Sequence, residues 1–90
     1  MQISRDVEGL RFIGECAPES GFVAGDILCA ACGRRIDPHV ESRDISLVCT
    51  VCGIKKAFWA EAEMQVYLAE NWNLLRQACT HPTVAIHRSL

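Results

Sequence analysis

The residues best suited to chemistry are four cysteines in two matched pairs. They read Cys29-Ala30-Ala31-Cys32-Gly33 and Cys49-Thr50-Val51-Cys52-Gly53, and 16 residues separate the halves. A two-residue gap lets one tight turn aim two sulfurs at a single ion. Two such turns supply a tetrahedron of soft ligands, the set zinc prefers. Glycine after each second cysteine permits a positive φ, which turns backbone N–H groups toward the thiolates. The expectation is one structural Zn²⁺ held by Cys29, Cys32, Cys49 and Cys52. Iron in the same four sulfurs is the competing occupant. Four thiolate ligands leave no open position for water or substrate, so the site stabilises a fold and does not catalyse.

Such a site needs short, tightly turned elements around it. Between the pairs, residues 34–40 and 45–48 have the composition of two short antiparallel strands, with Glu41-Ser42-Arg43-Asp44 as their turn. From Phe58 to Cys79 there is no glycine or proline, and the stretch is rich in Ala, Leu, Glu and Gln. It predicts one long helix over 58–79, roughly 33 Å at about 1.5 Å per residue. Glu61 and Glu63 suit its N-terminal dipole, and Pro82 follows its end. Met64, Tyr67, Leu68, Trp72, Leu75, Ala78 and Cys79 share one stripe at helical spacing. Upstream, a strand is expected at Leu10–Ile13 and a loop from Glu15 to Gly25, where Pro18, Gly21 and Gly25 fall. The tail beyond the helix reads as a short strand, with Val84 and Ile86 on one face, or as loose chain. The reading is a single small α+β domain over 1–90. It comprises an N-terminal strand and loop segment (1–25), a Cys₄ zinc ribbon of short antiparallel strands (26–57), the long C-terminal helix (58–79) and a tail (80–90).

Composition agrees with a small folded domain. Half of the 90 residues are apolar, which excludes an acidic disordered tail. No apolar run reaches the ~18 residues of a membrane span, and Arg5, Asp6 and Glu8 interrupt any secretory leader. The expected compartment is the cytoplasm, where paired Cys-x-x-Cys motifs point to metal rather than disulfides. Formal net charge is −2, which argues against a general polyanion binder. The middle third, residues 29–56, carries five cations against three carboxylates, a sum of +2.

The two Cys-x-x-Cys-Gly knuckles, the hairpin between them and the following helix resemble the zinc-ribbon, or rubredoxin-knuckle, class. That resemblance covers about residues 26–58 and implies a zinc-stabilised ribbon of the kind used in transcription, translation and replication machines, adaptors and regulators. Cys29, Cys32, Gly33, Ile36, Arg43, Leu47, Cys49 and Cys52 also echo the order of residues in the DksA/TraR-type zinc finger. Two departures stand against the latter. Residues 1–28 contain Gly and Pro where that family has a long helical hairpin, and the spacing between pairs is one residue shorter.

The remaining signals concern partners. Arg34, Arg35, Lys55 and Lys56 follow the two knuckles and suit phosphates or an acidic protein patch, or else serve as solvated ends. No aromatic residue lies between them to stack on bases. Trp59, Ala62, Val66 and Ala69 make a second apolar helix face, which suits a partner helix, a homodimer or a cover formed by residues 1–25 and 83–90. Cys16, Cys79, His81 and His87 are left over, either as a second metal site or, for the cysteines, as small buried hydrophobes. His39 lies between the knuckles as a reserve ligand. No nucleophile–base pair, paired-carboxylate motif or phosphate-binding glycine loop is present in the sequence. The functional expectation is a non-catalytic interaction module or regulator that binds a protein, itself or a nucleic-acid-processing machine. The alternatives are a nucleic-acid-binding zinc finger using the basic knuckle ends and a rubredoxin-like electron carrier.

Overall fold

The computed structural model describes residues 1–19 and 21–80. Strands β1 (Gln2–Val7), β2 (Leu10–Ala17) and β3 (Gly21–Cys29) form one antiparallel sheet in that order. Strands β4 (Pro38–Glu41), β5 (Asp44–Val48) and β6 (Lys55–Phe58) form a second, also in sequence order. One helix, α1 (Glu61–Thr80), follows and packs against both sheets. The architecture is therefore small α+β, and among the described residues no helix is long and apolar enough to cross a membrane.

The hairpin expected between the cysteine pairs is present, but its first strand begins at Pro38 rather than Arg34, because residues 34–36 complete the first knuckle beside β3. Val40 pairs with Ile45 and Glu41 with Asp44, so Ser42 and Arg43 make the turn. The upstream expectation needs correction. Glu15–Gly25 is not a loop: β2 runs on to Ala17 and β3 begins at Gly21, and these two strands pair along most of their length. Of the glycines that suggested a loop, Gly21 opens β3 at a positive φ of 75°, while Gly25 serves close approach, as does Gly14 in β2. A Cβ on Gly14 would strike the Phe22 ring, and one on Gly25 would sit 2.6 Å from the Ile13 carbonyl oxygen. Phe12 pairs with Ile27 but Gly14 with Ala24, so β3 carries one extra residue opposite Ile13, a β-bulge.

The helix starts three residues later than the sequence suggests. Phe58 is buried and pairs with Ile45, so β6 claims it before the helix can. The Trp59 N–H then donates to the Glu63 carboxylate at 3.2 Å, a side chain reaching back over the first turn. The expected inner stripe is observed. Met64 and Leu75 are buried and Tyr67, Leu68 and Trp72 pack against the core, which Leu10, Phe12, Ile27, Ile36, Leu47 and Phe58 complete from the strands. Phe12 meets Trp72 edge-on at 5.1 Å. Asn71 sits in the same stripe and is buried, with its polar groups satisfied. It accepts from Arg5 Nε at 2.9 Å and donates to the Tyr67 carbonyl at 2.9 Å.

Candidate metal centre

The two knuckles are built alike. Cys29 closes β3 and Cys49 follows β5, so each first cysteine leaves a paired strand. In each turn the glycine N–H donates to the first cysteine's carbonyl: Gly33 to Cys29 at 2.8 Å and Gly53 to Cys49 at 2.9 Å. In each, the first cysteine's N–H donates to the residue after that glycine: Cys29 to Arg34 O and Cys49 to Ile54 O, both at 2.8 Å. Both glycines adopt the positive φ the sequence requires, 80° and 76°. The chain then returns along its own strand. Arg35 bridges to Leu28, and β6 pairs with β5.

These turns bring all four sulfurs within 4.8 Å of one another, a cluster fit to hold a metal ion. Cys32 Sγ and Cys49 Sγ stand 3.7 Å apart. A tetrahedron with metal–sulfur bonds of ~2.3 Å has edges of about 3.8 Å, so that pair already lies at ligand spacing. The first cysteine of each pair is buried and the second exposed. The Cys52 N–H points at Cys49 Sγ at 3.4 Å. That N–H, followed by the one from Val51 and by the neighbouring thiols, pulls Cys49 down to about 7 against the opposing effect of burial. The Cys32 thiol, with burial and the other cysteines, pushes Cys52 up to about 12.

A feature the sequence reading missed supports both knuckles at once. The β1–β2 turn has Glu8 at φ 52° and Gly9 at φ 82°, the paired left-handed conformation of a tight hairpin. The Gly9 carbonyl accepts from the Ala30 N–H of the first knuckle at 2.9 Å. The bare Cα of Gly9 rests against Ile54, just past the second knuckle, where a Cβ would lie 2.8 Å from Ile54 Cγ2. Glu8 also pairs with Lys56 at 3.4 Å. The available signal was a two-residue Glu-Gly turn between alternating strands, hidden because β1 is polar at Gln2, Ser4, Arg5 and Asp6.

The other singled-out residues are placed as follows. Arg35 pairs with Asp37 at 3.1 Å and more loosely with Asp26 at 3.9 Å. Lys55 pairs with Asp44 at 3.4 Å, and Lys56 with Glu8. Arg34 is exposed. Three of the four cations are thus met by carboxylates of the chain itself. Trp59, Ala62, Val66 and Ala69 are all exposed, Trp59 at 95%. Residues 1–19 and 21–25 do not cover that face; they form the sheet beneath the opposite one. His39 Nε2 lies 3.3 Å from Asp44 Oδ2 and belongs to that pair rather than to the sulfur cluster.

Cys16 and Cys79 are joined in a disulfide, with Cα atoms 5.5 Å apart. This corrects both expectations for them, second-site ligands and free hydrophobes. The helix runs back along the first sheet and lays its last turn over the end of β2. His81, His87 and the expected tail strand with Val84 and Ile86 lie outside the described residues. No protein-family model, curated protein or solved structure matches the chain.

Proposed function

We propose that the chain is a non-catalytic zinc-ribbon module in which Cys29, Cys32, Cys49 and Cys52 hold one structural Zn²⁺, and that it acts by binding a protein partner. The observation carrying the metal reading is the convergence of four sulfurs from two turns of the same hydrogen-bond pattern. A complete thiolate set favours zinc and leaves no coordination position for substrate. The partner reading rests on Trp59. Trp59, exposed to 95% two residues before α1, and the exposed Ala62, Val66 and Ala69 on that helix are apolar surface, while another face of the helix fills the core. The charge pattern argues against the nucleic-acid alternative, because Arg35, Lys55 and Lys56 are already paired with Asp37, Asp44 and Glu8.

Two measurements test the proposal. Elemental analysis of the purified chain is expected to give one zinc per chain and a colourless solution; a red protein with stoichiometric iron replaces this reading with electron transfer. Pull-down from the native cell, with and without nuclease, is expected to recover a nuclease-resistant partner with the native chain. Trp59→Ser and Val66→Asp are expected to lose that partner with the fold intact. Folded variants that keep every partner sink the interaction reading.

A further inference from the structure

The four sulfurs of the candidate metal centre differ in access. Cys29 and Cys49, the first of each pair, are buried, while Cys32 and Cys52 are exposed. Cys32 Sγ lies 3.7 Å from Cys49 Sγ, a contact that crosses from one knuckle to the other. Bonded sulfurs stand ~2.05 Å apart, so closing this gap takes about 1.7 Å of movement. The Cys52 N–H donates to Cys49 Sγ at 3.4 Å and helps to fix that sulfur beside Cys32. An exposed sulfur meets a reagent from solution first, and a buried sulfur within reach is placed to resolve the adduct.

The molecule also carries a disulfide of its own, Cys16–Cys79. It lies far from the knuckles. Leu10, at the start of β2, pairs with Cys29, whereas Cys16 stands six residues further along the same strand. At ~3.3 Å per residue the separation is about 20 Å, too far for sulfur exchange between the two centres of the folded chain. An oxidant able to close the Cys16–Cys79 bond also meets the four thiols of the knuckles, unless a metal occupies them.

We propose that Cys32 is a thiol-oxidation site with Cys49 as its resolving partner, and that their bond across the knuckles and a bound metal exclude each other. The oxidant is a low-molecular-weight disulfide. The Cys32 sulfur attacks one sulfur of that disulfide, forms a mixed disulfide and expels the first small thiol. The Cys49 sulfur then attacks the Cys32 sulfur and expels the second. The products are one Cys32–Cys49 bond and two small thiols, with two electrons passed from the protein to the small disulfide. Cys29 and Cys52 remain, one sulfur from each knuckle, and two sulfurs do not complete the tetrahedron that zinc requires. The exclusion of metal rests on the four-sulfur site proposed above; the bond itself does not.

The test uses the full chain with Cys16–Cys79 intact, treated with oxidised glutathione as isolated, after chelator, and after reloading with zinc. Non-reducing digestion with mass detection maps the bonds, and alkylation counts thiols. The chelated chain is expected to lose two thiols and to link Cys32 to Cys49, leaving Cys29 and Cys52 alkylatable. It should then take up no zinc until a reduced thiol restores the pair. The zinc-loaded chain should oxidise more slowly by about tenfold or more, and excess oxidant should release its zinc in step with the same bond. That arm reads the pairing in a chain folded until the bond forms. Cys32→Ser should slow thiol loss in the chelated chain by a similar factor, whereas Cys29→Ser should still form the Cys32–Cys49 bond. Any other pairing overturns the proposal, whether within a knuckle, as Cys29–Cys32 or Cys49–Cys52, or scrambled with Cys16 and Cys79. Four thiols that persist in the chelated chain overturn it as well, as does an oxidised chain that binds zinc like the reduced one. If the chain binds no zinc at all, the metal reading fails, while bond mapping still decides whether Cys32 and Cys49 pair.

Discussion

Replacing Gly9 by alanine tests whether the first hairpin is a working part of the metal centre. Two costs are legible. The φ of 82° places an L-residue in left-handed space, at ~1–2 kcal/mol. The new methyl would lie 2.8 Å from Ile54 Cγ2, and Ile54 is stiff at χ1, so relief requires displacing the strand after the second knuckle. Overpacking of that kind costs ~1–3 kcal/mol. Together the substitution should destabilise the zinc-loaded chain by about 3 kcal/mol. Gly33→Ala is the comparator. Its φ of 80° is nearly the same, but a Cβ there meets nothing within 4 Å, so only the backbone cost of ~1–2 kcal/mol applies. Urea unfolding of both variants, each saturated with zinc, measures the difference, and competition with a chelator measures zinc affinity. Gly9→Ala should be the less stable and should also lose zinc more readily, although Gly9 is no ligand. If the two variants unfold within ~0.5 kcal/mol of each other, or Gly9→Ala binds zinc as the native chain does, the hairpin is not bracing the knuckles.

Three further outcomes follow from the geometry. The Tyr67 hydroxyl is buried with no hydrogen-bond partner among the described residues, and burial, reinforced by Glu8, pushes its ionisation upward. Tyr67→Phe should therefore be neutral or stabilising by up to ~1 kcal/mol in urea titration, and a loss above ~2 kcal/mol would expose a missed partner. Asn71→Ala leaves Arg5 Nε without its acceptor and removes the side-chain bond to the Tyr67 carbonyl, and should cost about 2 kcal/mol by the same assay; a change below ~0.5 kcal/mol refutes the network. In the metal-free chain Cys49 ionises below its unfolded value, so its thiolate favours the folded cluster above the ordinary thiol range, a contribution lost as pH falls through about 7. Thiolate absorbance should show a first ionisation near pH 7 that Cys49→Ser removes; four thiols titrating together at their ordinary value contradict it.

Local chemistry made the centre readable from the chain. The cysteine spacing and the two glycines specify knuckles whatever surrounds them, and a helix of 20 residues without Gly or Pro announces itself. What escaped notice was non-local. Gly25 resembles a loop residue until the partner strand, with the Ile13 carbonyl, is in place. Phe58 fits a helix start as well as a strand end, and only Ile45 across the ladder decides between them. Cys16 and Cys79 stand 63 positions apart, and no local pattern predicts that the returning helix brings them together.

The extra residue in β3 opposite Ile13 has a consequence for the protein in concentrated solution. The outer edge of that strand, from Phe22 to Asp26, contains neither lysine nor proline, the residues that commonly deter one sheet from templating another. A strand with an uneven backbone cannot present an evenly spaced row of donors and acceptors to a neighbour. Among the described residues no strand pairs with that side of β3, and the irregularity at Gly25–Asp26 works against fibrous growth there from the main chain, where lysine and proline are missing.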